Sequence, residues 1–348
     1  MHTPHAGSTV VRPFDIEEIF PEALTGPARR PRRQPETSAQ GLAVTLVADY
    51  TASTRAWLPS AAIVALLGEF GVTGGAARTS ISRLSRRGVL EISRHGRRSA
   101  YRLTASAATD LSKGGVAIAR DGADPMSWDG VWTVVLFSIP EQESTRRRVL
   151  RDHLRWSRFA PLYDGAWISP DPLPPEAKAA LSAAALGSVT VFRARHEDLG
   201  TEFDRHPVEA WDLPAIAKEY AAFVDRWGAL LPRAAAGAIT GAAAVRARTE
   251  VMNVYRKFPI LDPMIPDRLM PPDWPRRHAR EIFVAIYDGL LEPAQQHVRG
   301  TVTGMTGEPC PDVRAHTVAA MAAGVRPAGQ DAGSAPPRPG AQPADTSR

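Results

Sequence analysis

Hydrophobic and polar positions recur at helical spacing over residues 41–87 and then switch to strand spacing. GLAVTLVADY (41–50) reads as a first helix, with Leu42, Leu46 and Val47 on one side. Trp57-Leu58-Pro59-Ser60 leads into a second apolar helix, AAIVALLGEF (61–70), with proline near its first turn. Thr73 is a good N-cap for a third helix over about 74–87, which Gly88 stops. On a wheel of about 100° per residue, Ala77, Ile81 and Leu84 fall at about 0°, 40° and 340°, one narrow apolar stripe. Thr79, Ser82, Arg83 and Arg86 fall at about 200°, 140°, 240° and 180°, so the outer face is hydroxyls and guanidiniums. VLEIS (89–93), RHGRR (94–98) and SAYRL (99–103) then read as a hairpin with Gly96 in its turn. Three short helices followed by a hairpin predict a winged helix-turn-helix domain over 39–112.

Two further modules follow. Val131–Ile139 is a buried strand. Glu143–Trp156 is a helix whose apolar side is imperfect. Strands near 159–163 and 166–169 are joined by Asp164-Gly165, a hairpin turn. PPEAKAALSAAAL (174–186) predicts a helix and SVTVFRA (188–194) a last strand. The order βαββαβ over 125–195 is ferredoxin-like. Residues 208–298 predict a small helical domain: an amphipathic helix at 211–231 (Trp211, Ile216, Tyr220, Phe223, Val224, Trp227), another at about 235–257, a proline-rich crossing at 259–275 and a helix at 275–294. The fold class is thus α+β and multidomain.

Composition changes the picture at the ends. Of 31 prolines, 13 lie in residues 1–40 and 309–348, which also lack apolar periodicity. Segments 1–38 and 299–348 are therefore expected to be disordered, with room for a short helix near Phe14–Phe20. The lone cysteine, Cys310, excludes an internal disulfide framework and Cys-based zinc fingers. No apolar run approaches the ~18 residues of a membrane span, and the first residues lack the layout of a signal peptide. A soluble, cytoplasmic setting is the default.

Charge sharpens it further. The net charge is +5, yet residues 78–102 hold eight arginines (78, 83, 86, 87, 94, 97, 98, 102) against Glu91, so this segment carries +7 and the rest of the chain −2. Arginine pairs bidentately with guanine, and serine or threonine contacts bases or phosphates. Arg78, Thr79, Ser82, Arg83, Arg86 and Arg87 on the third helix are thus candidates for double-stranded DNA contacts. Arg94, His95, Arg97 and Arg98 at the hairpin tip suit phosphates or the minor groove. A solvated surface also favours arginine, and Arg87 also suits the helix dipole. A basic helix followed directly by a basic wing is more specific than either alone.

The stretch from Trp57 to Thr104 resembles the N-terminal domain of the PaaX-like regulators. SWDGVWTVVLFSIPE (127–141) with FAPLYDGAWISPDPLP (159–174) looks like the central domain of that family. VYRKFPILDPMIPDRLMPPDWP (254–275) looks like its C-terminal signature. The resemblance implies a dimeric transcription regulator, more a repressor than an activator. It implies release from a palindromic operator by an aryl-CoA or other acyl-CoA thioester, typically phenylacetyl-CoA. Such an effector needs cations for its phosphates and an apolar pocket for its acyl part. Arg256, Lys257, Arg276, Arg277 and His278 are candidates for the first, Tyr255, Phe258, Trp274 and Phe283 for the second. Core packing and surface charge would account for the same residues.

No enzyme signature stands out. There is no P-loop, GxGxxG, HExxH or GxSxG. The resemblance of the central module to small CRISPR adaptation proteins raises a rival reading, a metal-dependent nuclease. Asp129, Glu141, Glu143, Asp152 and Asp164 form no recognisable motif for it. His196 and His206 with Glu197, Asp198 and Asp204 match no standard ligand spacing. The expectation is no catalytic residue, metal or cofactor. A winged-helix structural partner without a small effector is a third reading.

Overall fold

The computed structural model describes residues 38–324 apart from 97, 124–127, 174, 176–177, 179–187, 202–203 and 263. The expected disorder over 1–37 and 325–348, the helix near Phe14–Phe20 and most of the helix at 174–186 lie outside those residues. Among the described residues no helix is long and apolar enough to cross a membrane.

Ser38 starts the first helix, α1 (Ala39–Thr51), by accepting the Gly41 N–H at 3.0 Å. Leu42, Val44, Leu46, Val47 and Tyr50 are all buried. A helix buried on so many sides needs neighbours on several, and α1 lies against helices from both ends of the chain. Leu58–Pro59 forms a short strand, β1, before α2 (Ser60–Gly68). Thr73 caps α3 (Gly74–Arg86) by accepting the Ala76 N–H at 3.3 Å. Its stripe of Ala77, Ile81 and Leu84 is buried as the wheel predicts.

β2 (Leu90–His95) and β3 (Arg98–Leu103) pair antiparallel, with Leu90 opposite Leu103 and His95 opposite Arg98; β1 lies along the other side of β3. The expected five-residue tip is therefore a two-residue turn. Gly96 has φ of +59°, which lets the strands run on through Arg94 and Arg98.

The helix α4 (Ala105–Arg120) was not expected, and the boundary placed at 112 falls inside it. Thr104 caps it, accepting the Ala107 N–H at 3.2 Å. Its small residues and Gly114-Gly115 disguise it in sequence. Gly115 is needed because a Cβ there would stand 2.8 Å from Met321 Cγ.

The central module holds β4 (Trp132–Ser138), α5 (Ser144–Trp156), β5 (Ala160–Tyr163), β6 (Ala166–Ser169) and β7 (Ser188–Ala194). The strands form an antiparallel sheet in the order β5-β6-β4-β7. Val135, Ile139, Leu150, Leu154, Phe159 and Trp167 make its own small core.

The remaining helices are α6 (Leu213–Gly228), α7 (Leu231–Ala235), α8 (Gly241–Tyr255), α9 (Phe258–Leu261), α10 (Arg276–Gly289), α11 (Leu291–Thr306) and α12 (Val318–Ala322). The helix expected over 235–257 is interrupted before Gly241, and that expected over 275–294 breaks at Gly289-Leu290. The expected disorder of 299–348 is corrected up to residue 324. Val302, Val313, Val318 and Met321 are buried, and α12 packs on α4. These residues dock singly on a surface made elsewhere, so no local periodicity announces them. One continuous core joins residues 42–119 to residues 216–321. The segments 39–112 and 208–298 therefore share a core rather than forming two.

Candidate nucleic-acid interface

α3 presents two chemically distinct faces. Its apolar stripe packs on α1 and α2. Arg78, Thr79, Ser82, Arg83 and Arg86 stand on the solvent side, all exposed. Arg83 and Arg86 occupy the last turn, where cations also suit the helix dipole. Arg87 departs from that group. It is half-buried, and its Nε and Nη2 are enclosed without a hydrogen-bond partner among the described residues.

The hairpin puts Arg94, His95 and Arg98 in the open; Arg97 lies outside the described residues. Arg94 faces Ser99 across the ladder and His95 faces Arg98. The base of the hairpin is held by a charged knot. Glu91 accepts from Arg102 Nε at 2.7 Å and is paired with Arg55. Arg102 also covers the Trp57 ring at 4.3 Å. Arg102 is thus the hairpin's anchor, and the exposed cations are the ones beyond it.

The effector candidates scatter. Tyr255 and Phe258 belong to a buried aromatic chain: Tyr255 stacks on Phe283 with centroids 4.0 Å apart, and Phe258 stacks on Tyr220 at 4.0 Å. Arg276 is buried and grips Asp262 through Nε and Nη2, both at 2.7 Å. Asp262 also accepts the Tyr220 hydroxyl at 2.9 Å. Core packing engages Tyr255 and Phe258, and a buried ion pair engages Arg276. Trp274 is half-buried and 3.4 Å from Asp262 through Nε1. Arg256 and Lys257 are half-buried, and Arg277 is exposed.

The carboxylates weighed for metal chemistry are dispersed. Asp129 pairs with Arg193 at 2.7 Å, Glu143 with Arg146 at 3.0 Å and Asp164 with Arg151 at 3.8 Å. Of the loop residues, His196 Nε2 meets Asp204 at 3.3 Å. Among the described residues no group of three or more histidine, cysteine or acidic side chains is arranged to hold a metal ion. Cys310 is half-buried, its thiol 3.5 Å from the Arg299 carbonyl oxygen.

Two polar residues went unnoticed in sequence. Asp49 and His316 line a cleft bounded by α1, α4 and α8. An acid inside the apolar run of α1 was a visible anomaly. His316, in a segment expected to be disordered, gave no signal.

Comparison with known proteins gives three family matches in order along the chain. Residues 38–107 match PaaX-like protein, residues 125–205 the PaaX protein central Cas2-like domain and residues 211–300 the PaaX-like protein C-terminal domain. The chain is 30% identical over 243 residues to the transcriptional repressor PaaX of Escherichia coli (strain K12), covering 68% of this chain and 75% of that protein. Among solved structures it resembles the uncharacterised protein Rv0674 from Mycobacterium tuberculosis. The TM-score is 0.51 at 20% identity, over 75% of this chain and 98% of the other, a likeness of fold. From its N-terminal helices to its C-terminal ones, the chain belongs to the PaaX-like protein family.

Proposed function

We propose that this chain is a DNA-binding transcriptional repressor. In this reading residues 39–103 act as a winged helix. α3 lies in the major groove, Thr79, Ser82, Arg83 and Arg86 face base edges and phosphates, and the hairpin tip at Arg94, His95 and Arg98 serves as the wing. The observation that carries it is the two-faced α3, buried through Ala77, Ile81 and Leu84 and exposed through its guanidiniums and hydroxyls. The name of the Escherichia coli relative, a transcriptional repressor, supports it.

The finer parts go with this reading. The central module is ferredoxin-like and holds two subunits as a homodimer, which matches a palindromic operator. The strand order β5-β6-β4-β7, with every pair antiparallel, supports that fold. An acyl-CoA thioester such as phenylacetyl-CoA shifts the dimer to a form that releases DNA. Coupling of about 1–3 kcal/mol would change operator affinity roughly 5–150-fold. Arg256, Lys257 and Arg277 are the cations assigned to its phosphates.

The test is anisotropy of a labelled duplex from the chain's own upstream region, titrated with the full chain. Tighter binding than to a scrambled duplex, reduced by added phenylacetyl-CoA, is expected. Equal binding to both duplexes would overturn the repressor reading.

A further inference from the structure

A cleft lies where α1, α4, α8 and residues 316–321 meet. Its walls are mostly apolar: Val44 and Ala48 from α1, Leu111 and Ile118 from α4, Met252 from α8 and Met321 from α12. Thr45, Ser112, Arg256, Asp49 and His316 interrupt that lining; Asp49 is buried and His316 half-buried.

Asp49 and His316 each have one polar atom in use and one idle. Asp49 Oδ1 accepts the Tyr287 hydroxyl at 2.7 Å, while its Oδ2 has no hydrogen-bond partner among the described residues. His316 Nε2 lies 3.2 Å from the same hydroxyl oxygen, and its Nδ1 likewise has no partner. The hydroxyl has a single proton, and Asp49 receives it. His316 therefore donates from Nε2, leaving Nδ1 as an acceptor. Arg248 keeps it so. Its Nη2 donates to the His316 carbonyl at 2.5 Å, and its guanidinium lies 3.6 Å over the Tyr287 ring. Burial, and then the charge of Arg248, pushes the His316 imidazole down to about 3, so it stays neutral. Two idle acceptors in an apolar cleft are costly unless something supplies donors.

We propose that this cleft is a binding site for a small molecule with an apolar ring or branched acyl body and an adjoining N–H or O–H group. The body lies between α1 and α4, and the donor is shared between His316 Nδ1 and Asp49 Oδ2. The site is well placed to be felt elsewhere. α1 packs on α3, whereas α8 is one of the C-terminal helices and His316 lies in the segment between α11 and α12. The two sides are already tied by Thr45 on α1, whose hydroxyl donates to Asn253 on α8 at 2.8 Å. That occupancy alters DNA binding rests on the repressor reading; that the cleft binds does not.

The experiment is calorimetric titration of the full chain with phenylacetamide, a ring with an amide donor, and with methyl phenylacetate, the same ring without one. The amide is expected to bind about fivefold or more tightly, the worth of a buried hydrogen bond. Ser112→Phe, which fills the cleft from α4, should abolish binding, and the milder Ser112→Leu should weaken it; circular dichroism checks that both fold. Equal affinity for the amide and the ester, no binding of either, or unchanged binding in both folded variants would overturn the proposal. The titration contains no DNA, so a failure of operator binding by the full chain leaves its result intact and strikes only the repressor reading.

Discussion

His297 on α11 donates through Nε2 to Glu69 Oε1 at 2.7 Å, tying the C-terminal helices to the turn that leads from α2 into α3. Arg246 on α8 adds a weaker hold, its Nη1 3.4 Å from the Glu69 carbonyl oxygen. The pair is well sheltered, with side chains 28% and 20% exposed. A partly buried, charge-assisted bond of this kind contributes about 1–2 kcal/mol. His297→Ala is therefore expected to lower the unfolding free energy by that much, seen as an earlier urea midpoint with an unchanged slope. Midpoints equal within error would show that the contact contributes nothing to holding α3.

Arg83 and Arg86 are expected to matter for operator affinity in a way that Arg87 does not. The first two are exposed on the outer face of α3, whereas the third is half-buried. Replacing either exposed arginine by alanine should weaken binding by about 1–3 kcal/mol if it reaches a base edge. Arg87→Ala should leave the operator affinity of folded protein within about twofold, the margin of a residue without a DNA contact. Anisotropy titrations decide it, and equal losses for Arg86 and Arg87 would contradict the division of the helix.

The hairpin cations should behave differently from those of α3. Arg94 and Arg98 stand beyond the Glu91–Arg102 knot and face solvent. If they meet phosphates, Arg94→Ala with Arg98→Ala should weaken all duplexes alike. The slope of log affinity against log salt should flatten by about one to two units. A loss confined to one duplex sequence, at constant salt slope, would mean base contacts instead.

The legible parts of this chain are those that a local pattern dictates. Ala77, Ile81 and Leu84 recur at helical spacing, so their burial and the opposite charged face could both be read. α4 was missed because its small residues and paired glycines carry little apolar signal; Gly115 serves a neighbour, Met321, that lies far off in sequence. Val313, Val318 and Met321 were missed for the same reason, since each buries itself on a distant surface. The effector candidates show the converse. Tyr255 and Arg276 have the chemistry of a ligand pocket, but only the fold reveals the Phe283 ring stacked on one and the Asp262 carboxylate paired with the other. Residue type alone does not distinguish a lining from a core.

That ion pair leads to a stability prediction. Arg276 is 6% exposed and Asp262 0%, and the same carboxylate supports Tyr220, Trp274 and the Met264 N–H. Removing one partner strands a buried charge, a loss of about 3–5 kcal/mol. Arg276→Met is expected to show that loss in urea unfolding without any ligand present. A normal midpoint together with weakened acyl-CoA binding would return Arg276 to the effector.

Asp121, at the end of α4, should make stability fall as pH rises. It is buried, and neither carboxylate oxygen has a partner among the described residues. Burial, reinforced by the charge of Asp262, pushes its carboxyl from 3.8 up to about 7, against the pull of Arg158, Arg276 and Arg280. Between about pH 4 and pH 7 the unfolded chain has released this proton while the folded chain still holds it, so the folded state loses ground as pH climbs. Asp121→Asn cannot ionise. It should match the parent near pH 4 and exceed it by on the order of 3 kcal/mol by pH 8. Asp49, raised to about 6, and His316, lowered to about 3, titrate in both proteins and drop out of the difference. Urea unfolding at several pH values measures that difference directly. A constant gap across the range would show that Asp121 ionises as an ordinary carboxylate, its charge met by the arginines around it.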